Sequence, residues 1–111
     1  MTEPQIINID FTKYLFDNQK AIFIDARDQE DFKQSHIENA INIPYEEYEA
    51  YDSLIYSLDV DYPVIVYCNG KDCDLSIYLG DLLFDDYEFN TILIFDGGFP
   101  EWLDKKYPID E

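Results

Sequence analysis

Cys68 and Cys73 are the only cysteines in the chain, and they lie five positions apart in Val64-Ile65-Val66-Tyr67-Cys68-Asn69-Gly70-Lys71-Asp72-Cys73-Asp74-Leu75. A cysteine acts as a nucleophile or metal ligand through its thiolate. A structural zinc takes four Cys or His ligands, and His36 is the only other residue of that kind here. A metal site is therefore not expected. Two chemistries remain for the pair: nucleophilic attack by one thiolate, or a reversible bond between Cys68 and Cys73.

Position favours the first for Cys68. Val64 to Tyr67 is a β-branched and aromatic run that reads as a strand buried on both faces. Leu75, Tyr78, Leu79, Leu82 and Leu83 recur at helical spacing, with Asp74 ahead of them as an N-cap. Cys68 thus ends a strand and opens a loop that feeds a helix N-terminus. Ligands of open α/β sheets bind at such strand ends, and backbone N–H groups there stabilise thiolates and anions. The competing reading is a small buried hydrophobe that ends a strand, as most free cysteines are.

The remaining elements must place this loop. Gln5 to Ile9, Ala21 to Asp25, Ala40 to Pro44 and Thr91 to Phe95 read as further strands. Between them the spacing predicts a helical turn through Phe11, Tyr14 and Leu15, capped by Asp10, and a short helix Gln29 to Gln34, capped by Asp28. A helix is also expected over Tyr45 to Leu58, carrying Tyr48, Tyr51, Leu54 and Ile55 inward. Gly80 suits close packing of the helix after the cysteine loop. Gly97-Gly98 forms a turn before a last helix, Phe99 to Lys106, with Trp102 and Leu103 inward and Pro108 beyond it. Strands alternating with helices imply right-handed crossovers and a mostly parallel sheet, an α/β fold. At 111 residues the chain is expected to form a single domain, 1–111, around a single core.

Acidic residues outnumber Lys and Arg 25 to 7, for a formal net charge of −18, and they are spread over both halves of the sequence. Such a field repels phosphate backbones and slows small anions, while it favours basic partners. It argues against nucleic acid as a ligand, and solubility or a saline environment is a sufficient reason for it. No stretch resembles a membrane span or a signal peptide, so a cytoplasmic location away from membranes is expected.

Three segments together resemble the rhodanese homology domain. Ile24-Asp25-Ala26-Arg27, Phe32 and His36-Ile37-Glu38-Asn39-Ala40-Ile41-Asn42-Ile43-Pro44 are similar to its first signature. Val64 to Cys68 resembles the strand entering its active-site loop, and Asp96-Gly97-Gly98-Phe99-Pro100-Glu101-Trp102 its closing Gly-Gly-x-x-x-Trp element. The resemblance implies a three-layer α/β/α fold with a five-stranded, mostly parallel sheet. It implies a catalytic Cys68 that takes a sulfane sulfur from a small donor or a protein persulfide and passes it to a thiol or cyanide-like acceptor. The backbone of Asn69, Gly70, Lys71, Asp72, Cys73 and Asp74 would cradle that sulfur, without metal or organic cofactor. Asp25, Arg27 and His36 are structural on this reading.

The sequence departs from the family pattern in two ways. The loop holds no arginine, and Asp74 stands roughly where relatives acting on phosphate or arsenate need one to hold anionic oxygens. Phosphatase activity is not expected, and thiosulfate, a dianion, is expected to be a poor donor. Cys73 is the second departure: it is either a resolving cysteine for a modified Cys68 or a small inward residue at the helix start. A sulfurtransferase, a non-catalytic binding or regulatory module with a basic protein partner, and a Cys68/Cys73 redox switch are the functions left open.

Overall fold

A computed structural model describes residues 3–111. Its strands are β1 (Gln5–Ile7), β2 (Ile22–Asp25), β3 (His36–Ile37), β4 (Ile41–Asn42), β5 (Val64–Tyr67), β6 (Ile92–Phe95) and β7 (Ile109–Asp110). Its α-helices are α1 (Ile9–Asp17), α2 (Gln29–Gln34), α3 (Asp52–Ser57), α4 (Leu75–Asp85) and α5 (Gly98–Asp104). A 3-10 segment, Tyr45–Tyr51, leads into α3.

Five strands pair in the order β1-β6-β5-β2-β4, all parallel. The most apolar run, Val64 to Tyr67, is the central strand and is wholly buried, as a strand covered on both faces must be. Ile24, Val66 and Ile94 lie in register across the middle of the sheet. One face packs a core including Ile24, Ile43, Ile55, Val66, Leu79 and Leu83, covered by the 3-10 segment, α3 and α4. The other packs Leu15, Phe23, Ile65, Phe95, Phe99 and Trp102, covered by α1 and α5. This is the three-layer arrangement expected. Gly80 lets α4 lie close on the sheet, since a Cβ there would collide with Ile94.

Several local expectations are corrected. Asn8, not Asp10, caps α1: its Oδ1 accepts from the Phe11 N–H at 2.9 Å. The turn through Phe11, Tyr14 and Leu15 is part of the longer helix α1, in which Phe11 and Tyr14 are exposed and stack on each other while Ile9, Thr12 and Leu15 are buried. Tyr45 to Leu58 is not one helix, because the backbone breaks at Glu47 (φ −126°, ψ 23°) and no side chain caps the segment's start after Pro44. Leu103 is 47% exposed and Tyr78 49%, so neither is core. Asp28 caps α2 as read, accepting from the Asp31 N–H at 2.9 Å.

One pairing was not foreseen. β3 and β7 join antiparallel, His36 opposite Asp110 and Ile37 opposite Ile109, tying the chain end to the segment after α2. His36 is held there by Nδ1 at 2.7 Å from the Phe32 carbonyl and by its ring stacked on Phe32.

A buried ion pair locks the carboxyl end of β2. Arg27 donates to both oxygens of the fully buried Asp25, from Nε (3.1 Å each) and Nη2 (2.8 Å), and Nη2 also donates to the Ser35 carbonyl at 2.7 Å. Asn42 Nδ2 donates to the carbonyls of Asp25 and Arg27, both at 3.0 Å. Tyr67, opposite Asp25 in register, accepts the Ile37 N–H at 3.0 Å. Burial first, and then the Asp25 carboxylate, hold its phenol protonated well above the usual range. Losing one partner of such a pair leaves a buried charge uncompensated. Arg27→Ala is therefore expected to cost about 3–5 kcal/mol in urea denaturation, with Arg27→Lys recovering only part of it, because an ammonium cannot reproduce the two-pronged contact. A loss below about 1 kcal/mol, the scale of a surface pair, would refute this role.

Candidate functional site

β5 delivers Cys68 to the carboxyl edge of the sheet, between Ala26 at the end of β2 and the turn after β6. Ala26 N–H donates to the Tyr67 carbonyl at 2.9 Å, and Phe99 N–H donates to the Cys68 carbonyl at 2.8 Å. Gly98, at φ +68°, makes the second contact so close that a Cβ there would collide with the Gly70 nitrogen and the Cys68 carbonyl oxygen. Arg27 reaches the same place, its guanidinium carbon 4.5 Å from the centre of the Phe99 ring.

The loop runs from Asn69 to Asp74 and turns tightly where Cys73 N–H donates to the Gly70 carbonyl at 2.9 Å. Asn69, Lys71, Asp72 and Asp74 are exposed, Gly70 is buried and Cys73 is half-buried. Asp74 stands at the N-cap position of α4 but accepts no capping hydrogen bond, contrary to the expectation from sequence.

Cys68 is 1% exposed. Its thiol donates to the Cys73 carbonyl at 3.3 Å, so a carbonyl faces the sulfur where the family resemblance leads to an expectation of N–H groups. The Cys73 thiol is near enough to influence it. Burial pushes the Cys68 thiol up from its ordinary value of 9.0, and the Cys73 thiol adds to this. The hydroxyl and backbone N–H of Ser76 oppose the shift by stabilising the thiolate. Ser76 is buried in the first turn of α4. The sequence reading missed it, and its place just past the loop was the only signal.

Alongside the loop lies an open groove of about 610 Å³. Asn69 to Lys71 form one wall, and Asp96, Glu101 and Asp104 contribute three carboxylates against the one ammonium of Lys71. A second cavity, about 500 Å³, includes Ala21, Ile22 and Ile41 at the opposite, amino ends of the strands, away from Cys68. Among the described residues, no three His, Cys, Asp or Glu side chains are grouped to hold a metal ion. Among those residues, too, no helix is long and apolar enough to cross a membrane.

A cysteine-bearing loop at the end of a central parallel strand, closed by a Gly-Gly turn and a buried Trp102, belongs to a recognisable class. The family model of the rhodanese-like domain matches residues 10–105, and the chain is a member of that family. It is similar to rhodanese-like domain-containing protein 17 of Arabidopsis thaliana, with 31% identity over 98% of this chain and 76% of that protein. Its fold is that of a protein from Bacillus halodurans (TM-score 0.83, 22% identity, 96% of this chain and 76% of the other). It also superposes on a thiosulfate sulfurtransferase of Pseudomonas aeruginosa (TM-score 0.73, 19% identity, 98% of this chain but 20% of that enzyme).

The opposing influences on the sulfur can be separated by alkylation. In a Cys73→Ser background, the rate of iodoacetamide reaction at Cys68 is expected to rise with pH to a midpoint above 9.0. Ser76→Ala should move that midpoint higher, because it removes a donor to the thiolate. An unchanged or lower midpoint in Ser76→Ala would contradict the assignment.

Proposed function

We propose that this protein is a sulfurtransferase working through a Cys68 persulfide. The observation that carries the reading is the Cys68 sulfur at the carboxyl end of the central strand, beside Ser76 in the first turn of α4, which favours its thiolate. In the first half-reaction the Cys68 thiolate attacks the outer sulfur of a donor R–S–SH. A Cys68 S–S bond forms and RS⁻ leaves, able to take up the proton that the Cys68 thiol gave up. In the second, an acceptor thiolate or cyanide attacks the outer sulfur and the Cys68 thiolate departs. A covalent intermediate divides one transfer into two easier steps. The Ser76 donors stabilise the thiolate at both ends of the cycle. The chemistry calls for a compartment that keeps thiols reduced, such as the cytoplasm.

Charge sets the donor class. The groove beside the loop is anionic, and Asp72 and Asp74 follow Lys71 in the loop, so a dianion such as thiosulfate meets repulsion where a neutral or protein-bound persulfide does not. Charge is also divided between the two faces. No Lys or Arg occurs between Lys33 and Lys71 or between Lys71 and Lys105, so the face built by the 3-10 segment, α3 and α4 has none. The partner that this charge favours is a protein with a basic surface, acting as donor or acceptor. A second reading, a binding module without turnover, draws support from the burial of Cys68 and its raised pKa.

Two measurements test these readings. Intact-mass analysis after brief exposure of the reduced protein to cysteine persulfide is expected to find one added sulfur, absent in Cys68→Ser and discharged by cyanide. No uptake by folded protein would favour the binding module. In steady-state assays, Asp74→Arg should lower the Michaelis constant for thiosulfate by about tenfold, the scale of 1.4 kcal/mol, since it replaces a repelling carboxylate with a guanidinium. A wild-type constant already unaffected by this change would remove charge as the reason for donor choice.

A further inference from the structure

Cys73 is the more exposed thiol of the pair, and it lies over a Cys68 that is almost fully buried. The Gly70–Cys73 turn folds the loop back so that the Cys73 carbonyl accepts from the Cys68 sulfur at 3.3 Å, with its own thiol beside it. Both cysteines are free. An external acceptor would have to pass the loop to reach a sulfur carried on Cys68, whereas Cys73 is already within the site.

We propose that Cys73 resolves the Cys68 persulfide, closing a Cys68–Cys73 disulfide and releasing hydrosulfide. This rests on the reading of Cys68 as a persulfide carrier and adds a second, internal fate for the intermediate. The Cys73 thiolate attacks Sγ of Cys68. The Sγ–Sγ bond forms, the bond from Cys68 Sγ to the outer sulfur breaks, and the outer sulfur leaves with the electron pair as HS⁻. In net terms, a persulfide and a thiol become a disulfide and hydrogen sulfide. The outer sulfur is the species reduced and the two cysteines are oxidised, so no other oxidant is required. A dithiol reductant then restores both thiols.

The direction of attack follows from the leaving groups. Thiol–disulfide exchange is faster when the departing sulfur has the lower pKa. Attack on the outer sulfur would expel Cys68 itself, a thiolate that burial disfavours. Attack on Sγ expels hydrosulfide instead, which is small and can leave past the exposed side of the loop. The function this adds is reductant-coupled release of sulfide from a persulfide donor, with the loop cycling between dithiol and disulfide.

The test is a single-turnover experiment without air. Reduced wild type, Cys73→Ser and Cys73→Ala, each checked for native circular dichroism, are loaded with one equivalent of cysteine persulfide and freed of small molecules. Intact mass and released sulfide are then followed. Wild type is expected to lose its added sulfur with one equivalent of sulfide and to end two hydrogens lighter than the reduced protein, with a peptide linking Cys68 to Cys73. Both variants should keep the added sulfur about tenfold longer or more, a change of 1.4 kcal/mol or greater in the barrier. Equal persistence in wild type and variants, with sulfur loaded on all three, would overturn the resolving role and leave the persulfide reading intact. Failure of all three to take up sulfur would overturn both.

Discussion

The ion pair between Asp25 and Arg27 is the contact on which the rest of this architecture depends. A carboxylate with no exposure to solvent is tolerable only if its charge is matched and its lone pairs are filled. Arg27, its own N–H at 2.9 Å and the surrounding strand ends meet that requirement. In doing so they fix where β2 stops, where the segment after α2 begins at Ser35, and where the Phe99 ring must lie. Phe99 in turn donates to the carbonyl of Cys68. The Cys68 sulfur is therefore located by a chain of contacts that begins at a buried charge pair. The single arginine of the sequence is spent on this anchor and not on the loop.

The loop departs electrostatically from what a thiosulfate-using site would need, and the departures agree with one another. A buried thiol near a second thiol and a carbonyl rests in its protonated form, helped toward ionisation only by Ser76. Carboxylates line the adjoining groove, and cations are kept to α1 and the turn after it, Arg27 just past β2, α2, the residues following α5 and the tip of the loop. A field of this sign repels small anions and attracts positively charged groups. The high overall acidity is thus unevenly distributed, with the face of α3 and α4 free of any opposing charge.

Much of this was legible in the sequence, for reasons that can be named. Val64 to Tyr67 reads clearly because a central parallel strand has no polar face to disguise it. The position of Cys68 at the strand end is legible because it directly follows that run, and Trp102 is legible as core because a large ring on a short helix has nowhere else to go. The β3–β7 tie was not legible, since two-residue strands more than 70 positions apart leave no periodic signal. The break at Glu47 was hidden by a tyrosine stripe that fits a helix, although the backbone after Pro44 lacks a capping side chain. Leu103 and Tyr78 fit the apolar pattern but face water, where single exposed apolar residues are ordinary. The ionisation of Cys68 could not be weighed at all without knowing that burial, and not the neighbouring carboxylates, is its largest cause.

The contact between Gly98 and the Cys68–Gly70 backbone joins peptide group to peptide group, with no side chain between them. Peptide groups are the same whatever the sequence, so this seam carries no information about the residues on its outer side. The side chains of Asn69, Lys71 and Asp72 are exposed and take no part in that contact. The chain has in effect an insulated frame. Its glycines hold the backbone around Cys68, while the exposed loop positions carry the charge that faces solvent.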